Sequence, residues 1–260
     1  MKRFRMTLSV FLLIIFIIIF FFSLYHIIIW VNDNQKTNKQ IQSLQEHVKL
    51  SKSKESGTVE VLDNTKYQNV DLLSVDFTDL LSKNPNTVGW IQIPETNVNY
   101  PFVQYKDNSY YLSHSFDDSN NTAGWLFLDY RNQLDSMDMN TIIYAHGRVD
   151  GTMFGTLKDI LSDDWMKLDK NYIQISTLNY NYLFEMFSAY HIKTTNDYLK
   201  INYNNLDEYQ KFLDLVKQRS MVDFSTNVNT SNKILTLSTC YNSSEKMVVH
   251  AKLVKQEKRY

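Results

Sequence analysis

The chain of 260 residues holds one cysteine, Cys240, at the end of the run Ile234-Leu-Thr-Leu-Ser-Thr-Cys240. Period-two alternation makes this run a strand, with Leu235, Leu237 and Thr239 on one face. Ile234, Thr236, Ser238 and Cys240 fall on the other. The polar sequence Tyr241-Asn242-Ser243-Ser244 then ends it. A thiol at a strand end is held by a rigid element and open to substrate. Two readings compete here: a nucleophile, or a small apolar side chain filling core space, the common fate of a free cysteine. A nucleophilic thiol is mostly protonated at neutral pH unless a basic or cationic neighbour activates it.

Six histidines are candidates for that neighbour. His26 lies in an apolar N-terminal run and His47 in the polar stretch after it. His250 sits mid-strand in Met247-Val-Val-His-Ala-Lys-Leu253 and reads as a packing residue. His191 ends a predicted strand, and His114 sits in Tyr110-Tyr-Leu-Ser-His-Ser-Phe116; both read as surface or core residues. His146 follows the apolar strand Thr141 to Ala145 and precedes Gly147 and a loop with Gly151 and Gly155. It repeats the placement of Cys240 at a strand end. Cys240 and His146 are therefore the sharpest pair for nucleophilic chemistry. A single cysteine cannot form an intrachain disulfide, and no Cys/His zinc spacing occurs. The acidic residues form no EF-hand loop. No metal ion or cofactor is expected.

These residues need a scaffold. Hydrophobic residues make up 43% of the chain, and Phe, Tyr and Trp number 15, 17 and 4, so a substantial core is available. The net charge of -1 disfavours nucleic acid as a partner. Short predicted strands cover Trp90–Ile93, Val98–Gln104, Gly124–Asp129, Thr141–Ala145, Tyr172–Ser176, Tyr182–His191, Ile234–Cys240 and Met247–Leu253. Pro101 suggests an edge or a bulge in the second of these. Helical spacing marks 70–82 and 205–220, with shorter helical pieces at 109–112 and 153–161. Many short strands with few helical crossovers predict a β-barrel or sandwich with inserted helices.

Met6 to Val31 is almost unbroken apolar sequence, long enough to cross the ~30 Å hydrocarbon core. It exceeds the apolar region of a cleaved signal peptide, and no small-x-small cleavage site follows. Lys2, Arg3 and Arg5 precede it, which predicts a cytoplasmic N-terminus and an extracellular remainder. The expected organisation is a basic tip and membrane anchor over 1–31, a polar stalk over 32–66, and an extracytoplasmic domain over 67–260. In the stalk, Ile41, Leu44 and Val48 have the spacing of a short helix or weak self-association seam, with Gly57 as its stop. A solvated spacer is the default there.

The segments so assembled resemble the sortases, membrane-anchored cysteine transpeptidases of Gram-positive bacteria, and specifically class B. Thr236-Leu-Ser-Thr-Cys240 resembles the TLxTC signature of that family. Tyr144-Ala-His-Gly147 with Asp150-Gly-Thr-Met-Phe154 resembles its histidine segment. Val88-Gly-Trp-Ile-Gln-Ile93, Tyr100-Pro-Phe-Val-Gln104 and Phe127-Leu-Asp-Tyr-Arg-Asn132 match class B patterns. The resemblance runs from about Asp71 to Val254. It implies an eight-stranded β-barrel with an N-terminal membrane helix. It also implies that Cys240 attacks the carbonyl of a sorting-signal peptide, Asn-Pro-x-Thr-like, to form a thioacyl-enzyme. His146 would serve the leaving and incoming amines, the latter from peptidoglycan. The backbone N–H of Cys240 or of a neighbour would help bind the oxyanion, and Thr239 would shape that region.

One position departs from the pattern. The family's third catalytic residue is an arginine opening the final strand. Here the segment reads Lys246-Met-Val-Val-His-Ala-Lys252, with Lys246 at that place. A lysine keeps the charge and loses the planar, five-donor fork. Two further functions therefore stand beside the transpeptidase: a plain cysteine peptidase, and a membrane-tethered binding module whose chemistry has weakened.

Overall fold

Alternation of apolar residues closes the sheet on itself. The computed structural model describes residues 2–47, 50–52, 59–63 and 65–259. The first elements are α1 (Lys2–His47), β1 (Leu50–Lys52), β2 (Val59–Val61), β3 (Leu73–Val75) and α2 (Thr78–Lys83). Then come β4 (Thr87–Gln92), β5 (Asn99–Gln104), β6 (Phe127–Leu128), β7 (Asn140–Tyr144) and α3 (Asp163–Met166). The last are β8 (Tyr172–Thr177), β9 (Tyr180–Lys193), α4 (Leu206–Gln218), β10 (Ile234–Cys240) and β11 (Glu245–Lys258). Hydrogen-bonded neighbours run β10-β7-β6-β5-β4-β8-β9-β11, and β11 pairs again with β10 to complete an eight-stranded barrel. β10 with β7 and β5 with β6 are parallel; the other barrel pairs are antiparallel.

The two faces of β10 follow the alternation. Leu235 and Leu237 join Met247, Val249 and Ala251 of β11 in the main core. Ile234 packs with Val248 and with Tyr209, Phe212, Leu213 and Val216 of α4. One face thus fills the barrel and the other lies beneath α4. That helix begins where Asn205 accepts a hydrogen bond from the Glu208 backbone N–H, an ordinary N-cap.

Several elements differ from expectation. The helix predicted over 70–82 is a strand followed by a short helix. Its apolar pattern fits both periods locally, and β8 decides: the backbone N–H groups of Leu73 and Val75 donate to Gln174 Oε1 and Ser176 Oγ. The helix starts only after Asp76, which accepts from the Thr78 N–H and hydroxyl. The strand predicted over 124–129 shrinks to two residues, because Gly124 adopts φ +61° and the Trp125 N–H turns to the Tyr111 carbonyl. A helix cannot start at Met153, whose φ is +54°; the helical turns begin at Leu157. Pro101 pairs with Trp90 on one side and precedes the part of β5 that β6 covers.

The chain divides into two units, one through residue 40 and one from residue 41 onward. In the first, α1 is long and apolar enough to cross a membrane from Ser9 on. In the second, Leu44 is buried in the main core with Ile41 packed against it, so this part of the sequence is not a solvated spacer. β2 pairs with Lys255–Glu257 of β11, and β1 with β3. The barrel unit therefore recruits residues well before 67. Val48 and Gly57 lie outside the described residues.

Candidate active site

Three strands carry the candidate chemistry to one rim. β10 and β7 are parallel neighbours with Ser238 opposite Tyr144, and the Ala145 N–H reaches the Ser238 carbonyl. Cys240 ends β10, and His146 follows the last residue of β7 by two positions. Gly147 allows the approach: a Cβ there would meet the Cys240 carbonyl oxygen at 2.0 Å and Thr239 Oγ1 at 3.0 Å. Cys240 itself is exposed, so it is not a core filler.

β11 supplies the cation. Lys246 is the register partner of Cys240, and its Nζ donates to Sγ at 3.2 Å. The intervening turn is stiff. Asn242 Oδ1 accepts from the N–H groups of Ser244 and Glu245, and Asn242 Nδ2 donates to Glu245 Oε2. His191 stacks on Tyr241 at 4.2 Å, and its Nδ1 lies 3.2 Å from Glu245 Oε1. The hydrogen bond from Asn242, and then that from His191, hold the Glu245 carboxyl below its ordinary range.

His146 has a defined orientation. Its Nε2 lies 2.8 Å from the Leu112 carbonyl oxygen. A carbonyl only accepts, so Nε2 carries a proton and exchange falls to Nδ1. The ring rests over Gly124, where a Cβ would meet Cδ2 at 2.9 Å. Below the pair lies a polar floor. The Tyr198 and Ser238 hydroxyls are 3.1 Å apart, and Tyr144 donates to Asp129 Oδ2 at 2.9 Å. Asp129 is fully buried and also takes two hydrogen bonds from the Arg131 guanidinium and one from Asn108. Burial pushes its carboxyl up, but those donors, Arg131 foremost, outweigh it and hold the group ionised.

His114 and His250 serve packing. His114 stacks on Tyr110 and meets that residue's carbonyl. His250 is fully buried, as its apolar flanks predict. Its proton can be located: the Thr236 hydroxyl donates to Asn140 Oδ1 at 2.6 Å, so it accepts from His250 Nδ1 at 2.9 Å. Nε2 then accepts from the Tyr190 hydroxyl. Desolvation pushes the imidazole down to about 3, so it stays neutral when folded. The unfolded chain takes up a proton near pH ~6.5 that the folded chain refuses, so stability is lost as pH falls from there towards the folded value. The expected loss is about 1.4 kcal/mol per pH unit inside that window. Urea unfolding followed across it should show this slope, and His250→Gln should flatten it by about one proton.

Sequence reasoning names Cys240, His146 and Lys246 as candidates; the barrel sets Lys246 against Cys240 and packs Gly147, the neighbour of His146, on the Cys240 carbonyl, and what holds these residues is not in the sequence pattern. Nothing in a sequence marks a backbone carbonyl such as that of Leu112. Asp129 carried a signal: an acid beside an apolar run with an arginine two residues on. An exposed thiol with an ammonium and an imidazole on one barrel rim is the equipment of a cysteine-dependent acyl-transfer enzyme.

Comparisons with known proteins specify the class. Residues 91–254 match the sortase domain family. Sortase B of Staphylococcus aureus is 32% identical over 259 residues, covering 98% of each chain. The solved substrate complex of Staphylococcus aureus sortase B superposes with a TM-score of 0.65 at 35% identity, covering 69% of this chain and 84% of that one. A sortase B complexed with triglycine gives 0.66 at 35% identity, covering 69% and 85%. The chain belongs to the sortase family, and within it to class B. It is a cysteine transpeptidase.

Proposed function

We propose that the chain cleaves a C-terminal sorting signal of surface proteins and joins the acyl part to a cell-wall amine, with Cys240 as nucleophile. One observation carries this reading: the only thiol of the chain is exposed at a strand end with an ammonium 3.2 Å away. Cys240 Sγ attacks the scissile carbonyl carbon. The carbon–nitrogen bond breaks, His146 gives a proton to the departing amine, and a thioacyl-enzyme remains. An incoming amine then attacks that carbonyl, His146 takes its proton, and the thiolate leaves. Lys246 stabilises negative charge on sulfur before attack and on the substrate oxygen during it, with the Cys240 N–H as a second donor. The substrate and triglycine complexes of sortase B support a peptide and an amine as the partners. An Asn-Pro-x-Thr-like signal and a peptidoglycan amine are the specific forms proposed.

Residues 1–31 would anchor the protein in the membrane with Lys2, Arg3 and Arg5 in the cytoplasm and the barrel outside. The polar stretch after the anchor would connect it to the barrel. Labelling intact cells with a membrane-impermeant lysine reagent should modify barrel lysines and spare Lys2; the reverse pattern would invert the topology.

The deciding experiment incubates the protein with candidate sorting peptides and follows its intact mass. An acyl adduct mapped to Cys240, and transferred to an added amine such as triglycine, is the expected result. Release of free acid at a rate indifferent to the amine would make the chain a peptidase instead. Absence of any adduct would favour the binding module. Lys246→Ala should lower kcat/KM about tenfold, since one partly exposed ammonium is lost and the backbone donor stays. Unchanged turnover would remove Lys246 from the mechanism.

A further inference from the structure

We propose that Cys240 and Lys246 form a reversible covalent bond, a sulfenamide between Sγ and Nζ, when a peroxide oxidises the thiol. The contact is built into the barrel. The two residues are register partners across β10 and β11, the turn joining them is fixed by Asn242, and Nζ already lies 3.2 Å from Sγ. Among the described residues no carboxylate forms an ion pair with Lys246, so its amine is directed at sulfur alone. Two other side-chain nitrogens are engaged elsewhere, His146 Nε2 with the Leu112 carbonyl and His191 Nδ1 with Glu245, whereas Lys246 Nζ is the one in contact with sulfur.

The chemistry follows from what the chain lacks. Cys240 is exposed, so a small oxidant reaches it, and there is no second cysteine to resolve a sulfenic acid as a disulfide. In the first step the thiol and hydrogen peroxide give the sulfenic acid and water; sulfur is oxidised and the peroxide reduced. In the second, the Lys246 ammonium releases one proton to solvent, the neutral amine attacks sulfur, the S–O bond breaks and the S–N bond forms. The hydroxyl leaves as water with a proton from nitrogen. Condensation of a sulfenic acid with a nearby nitrogen is established chemistry, and it stops further oxidation to the irreversible sulfinic acid. An added thiol attacks the S–N sulfur to give a mixed disulfide and free lysine, and a second thiol restores Cys240. An arginine at 246 could not do this, because its guanidinium stays protonated. Lysine at this position thus adds a protective lock, one that also shuts off the thiol while it is closed. The bond needs only the observed contact and stands apart from the proposed roles of either residue in turnover.

The test treats the full-length protein in detergent micelles with a few equivalents of hydrogen peroxide. Intact mass should show a species about 2 Da lighter than the reduced protein, returning to the starting mass with dithiothreitol. Cleavage after Glu245 separates the two residues unless they are bonded, so a joined peptide holding Cys240 and Lys246 locates the link. Lys246→Arg should give no lighter species, and its sulfinic product, about 32 Da heavier, should accumulate about tenfold faster. Equal sulfinic yields in the two proteins with no joined peptide would overturn the proposal, as would a disulfide between two chains as the main product.

Discussion

Replacing His146 with alanine is expected to lower kcat/KM by on the order of 10²–10⁴ while leaving the fold intact. The structure separates the two effects. His146 is only half-buried, and its one side-chain hydrogen bond goes to a loop carbonyl, so truncation removes little packing. The chemistry loses much more. Both halves of the proposed reaction need a proton moved at nitrogen, and the other imidazoles described within the barrel strands are engaged. His250 is sealed in the core between Thr236 and Tyr190, and His191 stacks on Tyr241 beside Glu245. Single-turnover acylation and transfer to an amine should both slow, with KM for the peptide nearly constant, because the role proposed for the imidazole is on the proton and not on the peptide. Added imidazole should restore part of the rate. A variant within threefold of wild type would exclude His146 as the proton carrier.

The legible part of this molecule was the part written as period. Alternation within Ile234–Cys240 and within the segment from Lys246 to Lys252 sorts each strand's side chains into two faces, and the pairing of Cys240 with Lys246 comes from the register of β10 and β11. Helical spacing in α4 did the same for its apolar stripe, and Asn205 marks its start. Where the reading failed, a side chain distant in sequence intervened. Gln174 and Ser176 capture the amides of Leu73 and Val75 from about a hundred residues away, and no local rule weighs such a bond against a helix. The same holds for the site. Residue chemistry named the thiol, the imidazole and the ammonium; the carbonyl of Leu112 and the Asp129 network act through distance alone. Glycine lies between these cases. Gly147 was noticed as a neighbour of His146, yet its function is visible only once β7 and β10 lie side by side.

That glycine carries the second large effect. A methyl group at residue 147 would fall 2.0 Å from the carbonyl oxygen of Cys240, well inside contact distance, and the atom it meets is backbone. No side chain can swing away to relieve it. Either β7 or the end of β10 must move, and each move changes the separation of His146 from Cys240. Displacement of about 1 Å at a reacting group costs on the order of 10² in rate. Gly147→Ala should therefore lose about that factor in kcat/KM, with a stability cost of about 1–3 kcal/mol from overpacking. Gly151→Ala is the matched control. It adopts φ +77°, and its nearest neighbour is the flexible amide of Asn97 at 3.1 Å. Its cost of about 1–2 kcal/mol comes from the left-handed backbone and is paid away from the rim. Both variants should melt earlier by similar amounts, and only Gly147→Ala should lose turnover. Peptide turnover measured well below both melting transitions makes the comparison. Equal loss in the two would mean that stability alone governs the rate and that close strand approach at Gly147 does not set the catalytic geometry.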